Sequence, residues 1–470
     1  MNPHPWLVRH LTYPTHERLR GRNTLRELRE LARLAEQPPD VVRAECARRL
    51  RDLLCFARRE LPYFADVFER CGVDPRRDDP YAELMKLRVL QKADVRKNAE
   101  RMVFRGVRGG PIPHSSGGTT GDTLHFFIDR IRQAQTLAAR LFVQRRLGVQ
   151  VGERRAYLWG SPIESNGSRL KHWRDRLLNE ILLDAFEMSP PQCDAHLRTI
   201  QSFKPRLLYG YPSAVALLAA HARDRFPSSS FPWLRVVVLT GEEITDEQAA
   251  LVREVFDCRV VAEYGSRETG LMAHDCPRGR MHIFSPHVHI EIMANGLPLP
   301  PGICGEIVCT TLTTRAQPMI RYRIGDVGSL DPAPCPCGLP FPTLRIEGGK
   351  ITGFIALPGG RLCHGAVTSH VLRDQPGVVE FKTYQRAVDR FEVLLAVNEA
   401  FDPATIERVR ARYRKLFGEQ IHVDCRTVAR IPPDPSGKRR YFVSDIAPAY
   451  GASDFLESAG PVSSLSSTSR

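Results

Sequence analysis

No stretch of this 470-residue chain stays apolar over the roughly 20 residues that a bilayer-spanning helix requires. A membrane span is therefore not expected. The apolar patch around Trp6 to Val8 is too short for a secretory signal, so the chain reads as cytoplasmic. Internal repeats are absent, which excludes a repeat architecture. Carboxylates are the scarcer charge: 53 Asp and Glu against 67 Lys and Arg, a formal net charge of +14. That excess admits polyphosphate, nucleic acid or an anionic membrane as partner. The arginines are dispersed, however, as in Arg26 to Arg33 and Arg408 to Arg414. No basic cluster interleaves with aromatics as a single-strand binding face does, so no specific nucleic-acid partner is expected. Twelve cysteines do not imply disulfides in a cytosolic chain. Cys55, Cys258, Cys304 and Cys309 sit singly in apolar segments and read as core.

What is present begins with Ser115-Ser116-Gly117-Gly118-Thr119-Thr120-Gly121. Glycines let the main chain approach a phosphate, and successive N–H groups form an anion-binding nest. Ser and Thr hydroxyls add donors. The run Thr123 to Ile128 that follows is β-rich, so a phosphate-binding hairpin loop is expected, against the alternative of a solvated turn.

Leucines at 25, 28, 31 and 34 recur at helical spacing, Pro38-Pro39 breaks the pattern, and a second helix follows over 41–59. A further helix is expected over 130–147. Buried strands are expected at 155–159, 206–209, 234–239 and 259–263, with helices 213–225 and 246–256 between them. Strands alternating with helices predict an α/β fold with a parallel sheet. From His282 to Leu330 short β segments with Gly/Pro turns suggest a β subdomain. The expected division is a core over 1–346, a hinge over 347–353, a small mobile α+β lid over 354–448, and a disordered Ser-rich tail over 449–470.

Further motifs follow in order: Thr240-Gly241-Glu242-Glu243, Tyr264-Gly265-Ser266-Arg267-Glu268-Thr269-Gly270, Arg321-Tyr322-Arg323-Ile324-Gly325-Asp326, and Pro435-Ser436-Gly437-Lys438. Together with the loop at 115–121, this series resembles the core motifs of the adenylate-forming (acyl-CoA synthetase) superfamily, most of all its phenylacetate-CoA ligase and CapK-like branch. Leu61-Pro62-Tyr63-Phe64, Tyr209-Gly210-Tyr211-Pro212 and Cys335-Pro336-Cys337-Gly338 also sit where that branch has such segments.

The resemblance implies a large adenylation domain plus a lid, and an ATP-dependent, AMP-forming ligase. A carboxylic acid, with aryl acids among the candidates, is activated as its acyl-adenylate and then passed to CoA. By resemblance the loop 115–121 holds the β- and γ-phosphates, Gly241 and Glu242 lie against adenine, and Tyr264-Gly265 brings an aromatic ring onto it. Glu268 binds Mg²⁺, whose hard charge suits carboxylate oxygen. Asp326 accepts from the ribose hydroxyls, Lys350 contacts ribose or phosphate, and Lys438 is carried by the lid to the α-phosphate. Tyr209, Gly210 and Tyr211 line the acid side. Two departures stand out: Asp122 follows the phosphate loop, and Gly353 stands in the hinge where an acidic residue is usual.

Cys276, His282, Cys335 and Cys337 make a complete four-ligand set for structural Zn²⁺, with His274, His287 and His289 as competing ligands. Two other readings remain open. One is a CapK-like protein of capsular or exopolysaccharide biosynthesis with a non-CoA acceptor. The other is a nucleotide-binding scaffold without turnover. A homodimer is compatible with either.

Overall fold

The computed structural model describes residues 3–115, 124–159, 169–185, 190–223, 225–227, 230–242, 244–348, 354–358, 362–364, 367–372, 375–431 and 442–446. Ser116 to Gly121, Asp122, Glu243, Lys350, Gly353, Lys438 and the tail from 449 lie outside the described residues.

The chain divides into two compact units. The first comprises Met1–Ile290, Val308–Arg323 and Leu330–Arg345. After short helical turns over residues 5–19 it holds helices α1 (Thr24–Leu34) and α2 (Pro39–Glu60) and the antiparallel pair β1 (Ile112–Ser115) and β2 (His125–Ile128). Helix α3 (Arg130–Arg146) is capped by Asp129, which accepts from the Arg132 N–H at 2.8 Å and from the N–H groups of Arg315 and Ala316 at 2.7 and 3.1 Å.

The sheet then builds from β3 (Arg155–Trp159), β4 (Glu180–Asp184), β5 (Leu207–Gly210), β6 (Val236–Thr240) and β7 (Arg259–Ser266). These five lie in the order β4-β3-β5-β6-β7, all parallel. The parallel arrangement predicted from the alternation is the one observed. Helices α4 (Pro212–Arg223) and α5 (Asp246–Phe256) supply the crossovers, and a capping box between Thr245 and Gln248 starts α5. Residues of both sheet faces are buried along β5 and β6, as expected for strands covered on two sides. Leu158, Leu208, Val237, Leu239, Leu218 and Val252 sit in one apolar cluster with them.

Beyond β7 the sheet turns antiparallel through β8 (Gly270–Asp275) and β9 (Met281–Ile283). Four later strands, β10 (Val288–Ala294), β12 (Gly305–Thr311), β13 (Tyr322–Leu330) and β14 (Thr343–Gly348), are divided along their length between the two units; β11 (Leu297–Pro298) belongs to the second.

The second unit comprises Glu291–Ile307, Ile324–Ser329 and Ile346–Arg470. It contains the hairpin of β15 (Phe354–Ala356) and β16 (Leu362–His364). A four-stranded sheet follows, ordered β19 (His422–Val428), β18 (Arg390–Val397), β17 (Val378–Ala387), β20 (Phe442–Ser444). Helix α6 (Ala404–Phe417) covers it, with Phe417 stacked on Phe391 at 5.5 Å and the Tyr413 hydroxyl 2.7 Å from that of Thr383. This four-stranded sheet with its helix is the smaller C-terminal sheet domain of the α/β fold. Among the described residues no helix is long and apolar enough to cross a membrane.

Candidate active site

Parallel strands in register end on one edge, and ligands bind at the carboxyl edge of open α/β sheets. Leu158, Gly210 and Leu239 are register partners, so Trp159, Tyr211 and, one residue beyond Thr240, Gly241 come to that edge. Trp159 and Tyr211 stack with ring centroids 3.9 Å apart at 19°. Gly241 has φ +83°, and a side chain there would press on Tyr211 at 3.1 Å and on Trp159 at 3.6 Å. Glycine thus lets the turn after β6 lie flat against an aromatic pair. Tyr209 and Gly210 are buried at the end of β5, with the Tyr157 and Trp159 rings 5.6 and 5.7 Å from Tyr209.

Tyr209 does not present its hydroxyl to this edge. It donates to Glu263 Oε1 at 2.8 Å and accepts from Arg140 Nη2 at 2.9 Å. Arg140 in turn grips Glu263 at 2.6 to 3.1 Å. Burial alone would push the Glu263 carboxyl up; the Arg140 charge outweighs it and holds the carboxyl below its ordinary value. Burial pushes the Tyr209 phenol well above its ordinary value. Arg140 keeps 33% side-chain exposure against 4% for Glu263. Of this trio Tyr209 is an expected site residue, whereas Arg140 and Glu263 are not. Their signal was a charge inside an apolar run, Val260-Val261-Ala262-Glu263, which demands an opposite charge.

The motif Tyr264 to Gly270 forms the end of β7 and the tight turn into β8. A register shift falls between Tyr264 and Gly265, and a Cβ on Gly265 would collide with the Gly270 carbonyl oxygen. Ser266 Oγ closes the turn, accepting from the Thr269 N–H at 3.1 Å and lying 2.8 Å from the Thr269 hydroxyl. Tyr264 and Glu268 are half-buried.

This turn is tied to the base of the β1–β2 hairpin. Arg267 Nη1 donates to the Ser115 carbonyl at 3.0 Å, and buried Arg132 donates to the Arg267 carbonyl. Burial draws the Arg132 pKa down to about 10, with Asp129 and Glu268 opposing. Burial, Arg132 and Arg267 lower His114, against Glu268. Burial and then Glu268 raise the Tyr322 phenol. The Glu268 carboxylate is thus felt by His114, Arg132 and Tyr322 together. Ser115 is the one residue of the predicted phosphate loop that is described, and it stands beside the turn bearing Glu268.

Asp326 is buried within β13 rather than at a turn and belongs to the second unit. Gly241 and Glu242 follow β6 directly, where the motif predicts them.

Cys276, His282, Cys335 and Cys337 converge, their ligand atoms all within 4.8 Å of one another. Cys276 Sγ and Cys335 Sγ are 3.7 Å apart, and Cys337 Sγ is 3.2 Å from His282 Nε2. A tetrahedral site with Zn–S near 2.3 Å has S···S edges of about 3.8 Å, so the set fits zinc. The other ring nitrogen of His282, Nδ1, lies 2.9 Å from the Phe341 carbonyl, the orienting contact a ligating imidazole needs. The Arg278 N–H donates to Cys276 Sγ at 3.3 Å. His274, His287 and His289 stand outside the cluster: burial holds His287 at about 3 and His289 at about 4, and His274 packs opposite Glu263.

Residues 181–313 match the family described as AMP-binding enzyme. Protein CapK of Staphylococcus aureus is 21% identical over 407 residues, covering 85% of this chain and 88% of CapK. A phenylacetate-coenzyme A ligase of Thermus thermophilus is 26% identical over 383 residues, 77% of this chain and 83% of the ligase. Among solved structures, a 2-hydroxyisobutyryl-CoA ligase in the postadenylation state superposes with a TM-score of 0.67 at 19% identity, covering 88% of this chain and 92% of that one. At that identity the likeness speaks for the fold.

Proposed function

The chain belongs to the adenylate-forming superfamily, in the branch of the phenylacetate-CoA ligases and CapK, and from that footing we propose that it activates a carboxylic acid with ATP and then forms its CoA thioester. The acid carboxylate attacks the α-phosphate, and pyrophosphate leaves. Little covalent chemistry falls to the protein; positioning and charge stabilisation carry the step. The observation that supports the reading most is the bond from Arg267 to the Ser115 carbonyl, which ties the first residue of the proposed phosphate loop to the turn bearing Glu268.

In this reading Ser115 to Gly121 cradle the β- and γ-phosphates and Gly241, Glu242 and Tyr264 hold adenine. Asp326 takes the ribose hydroxyls, with Lys350 near them. Glu268 would hold Mg²⁺, which when bound neutralises phosphate charge. Lys438, carried by the second unit as a lid, meets the charge that develops at phosphorus. The acid lies against Trp159, Tyr209 and Tyr211. Their flat, apolar rings suit an aryl acid. The four-ligand Cys/His cluster would hold a zinc ion that braces β8, β9 and the segment before β14; with four protein ligands it leaves no open coordination position.

The test is pyrophosphate release with a panel of aryl and aliphatic acids, with and without CoA. Acid-dependent release and CoA-dependent thioester are expected. Release that occurs without CoA and yields no thioester on its addition supports a second reading, a CapK-like enzyme of polysaccharide biosynthesis with another acceptor. The length of the CapK alignment favours keeping that reading. No release with any acid leaves only the nucleotide-binding scaffold.

A further inference from the structure

The sequence carries no basic cluster interleaved with aromatics, yet the fold brings together two segments, distant in sequence, that each carry exposed aromatic and basic side chains. The first is residues 3–20, where a short helix (Pro5–Leu7) runs through a π turn (Val8–Thr12) into a second helix (Tyr13–Leu19). The second is the helix Arg169–Leu177 beside the edge strand β4. They are joined by Thr12 Oγ1 donating to the Leu177 carbonyl at 3.0 Å and by Asn179 Nδ2 donating to the Pro3 carbonyl at 3.0 Å.

Large apolar side chains stand in solvent on both segments: Trp6 is 61% exposed, Leu11 60% and Trp173 68%, with Leu7 and Leu177 also exposed. A folded protein seldom leaves two tryptophans this bare on adjoining helices without a partner. The charges around them are mostly basic: Arg9, Arg18, Arg20, Arg174 and Arg176 are exposed, with His10 beside them. The one carboxylate of residues 3–22, Glu17, is buried and bonded to Arg22 at 2.5 Å. Asp175 is paired with Arg174 at 2.5 Å, and Glu180 lies 3.6 Å from Arg155.

We propose that this face docks the protein on an anionic phospholipid surface. Tryptophan and leucine enter the headgroup level, while the arginines meet lipid phosphate. A second copy of the chain is a poor occupant, because a two-fold contact would set this cationic face against itself. The proposal rests on surface chemistry alone and is independent of the ligase reading.

The test is co-sedimentation of the full chain with vesicles of phosphatidylcholine alone and with added phosphatidylglycerol. Binding to the anionic vesicles only, weakening with salt, is expected. Each arginine near such a surface contributes roughly a fivefold factor in partitioning. Arg9→Gln with Arg176→Gln should therefore reduce binding by more than about tenfold, and Trp6→Ser with Trp173→Ser at least as much, at unchanged melting temperature. Quenching of tryptophan emission by brominated lipid in the unaltered protein should accompany binding, which keeps the test independent of variant folding. Equal binding to neutral vesicles, no binding, or variants that bind as well as the parent overturns the proposal. So does a dimer that Trp6→Ser with Trp173→Ser dissolves, which would assign the face to a second copy.

Discussion

Glu17 is 3% exposed and would by burial alone be reluctant to ionise. Contact with His16 at 3.2 Å and hydrogen bonds from Arg22 and Thr24 reverse that and hold its pKa at about 2, against an ordinary value of 4.5. A depressed carboxyl contributes stability that is complete above its unfolded pKa and is lost as pH falls through its folded one. Here the window runs from about 4.5 down to about 2 and holds roughly 3 kcal/mol at 1.36 kcal/mol per pKa unit. All four tryptophans (6, 159, 173 and 233) belong to the first unit, so their emission follows its unfolding. Urea unfolding of Glu17→Gln should show a flatter dependence of stability on pH across that window, and a lower stability at pH 7. An unchanged pH slope would remove Glu17 from the account.

Two short elements carry sharper expectations. The β7–β8 turn depends on the bare backbone of Gly265 against the Gly270 carbonyl. Gly265→Ala should displace the turn that bears Glu268, cutting pyrophosphate release by more than about tenfold, since small misplacements of reacting groups cost that much or more. A variant with full turnover would mean the turn does not position Glu268. The cluster of Cys276, His282, Cys335 and Cys337 should yield one zinc per chain on metal analysis. Cys335→Ser should lower the melting temperature while leaving KM for ATP nearly unchanged; a metal-free protein whose cysteines titrate at once with a thiol reagent would overturn the site. Elements of this kind were unequally legible in the sequence. Strands such as Val236–Thr240 declared themselves as short apolar runs between turn signals. Strand β4, Glu180–Asp184, went unread, because Glu-Ile-Leu-Leu-Asp follows a helix with no Gly or Pro to mark the change. Strand β8 went unread because its start lies inside a motif that reads as loop. The four cluster ligands were legible as a set, whereas Arg140 and Glu263 meet across 123 residues and carry only the hint of a charge in an apolar run.

At the scale of the whole molecule the expectation concerns the second unit, if it acts as a lid. Pentacovalent phosphorus carries negative charge that the ground state lacks, and Lys438 is the cation assigned to it. Lys438→Ala should slow adenylate formation by about 10²–10³ while ATP still binds, as seen by thermal shift with Mg-ATP. Thioester formation from a pre-made adenylate should suffer less. Full pyrophosphate release from this variant would remove the mechanism assigned to the lid.

The second unit is gathered from three separate stretches of chain, two of them inserted among the strands of the first. It therefore cannot be inherited as a cassette. A single crossover between related genes near codon 346 would import the last stretch and leave the other two native, mixing two lineages within one fold. Only exchanges that bring 291–307, 324–329 and 346 onward together would deliver an intact unit. A single crossover therefore cannot exchange the second unit whole.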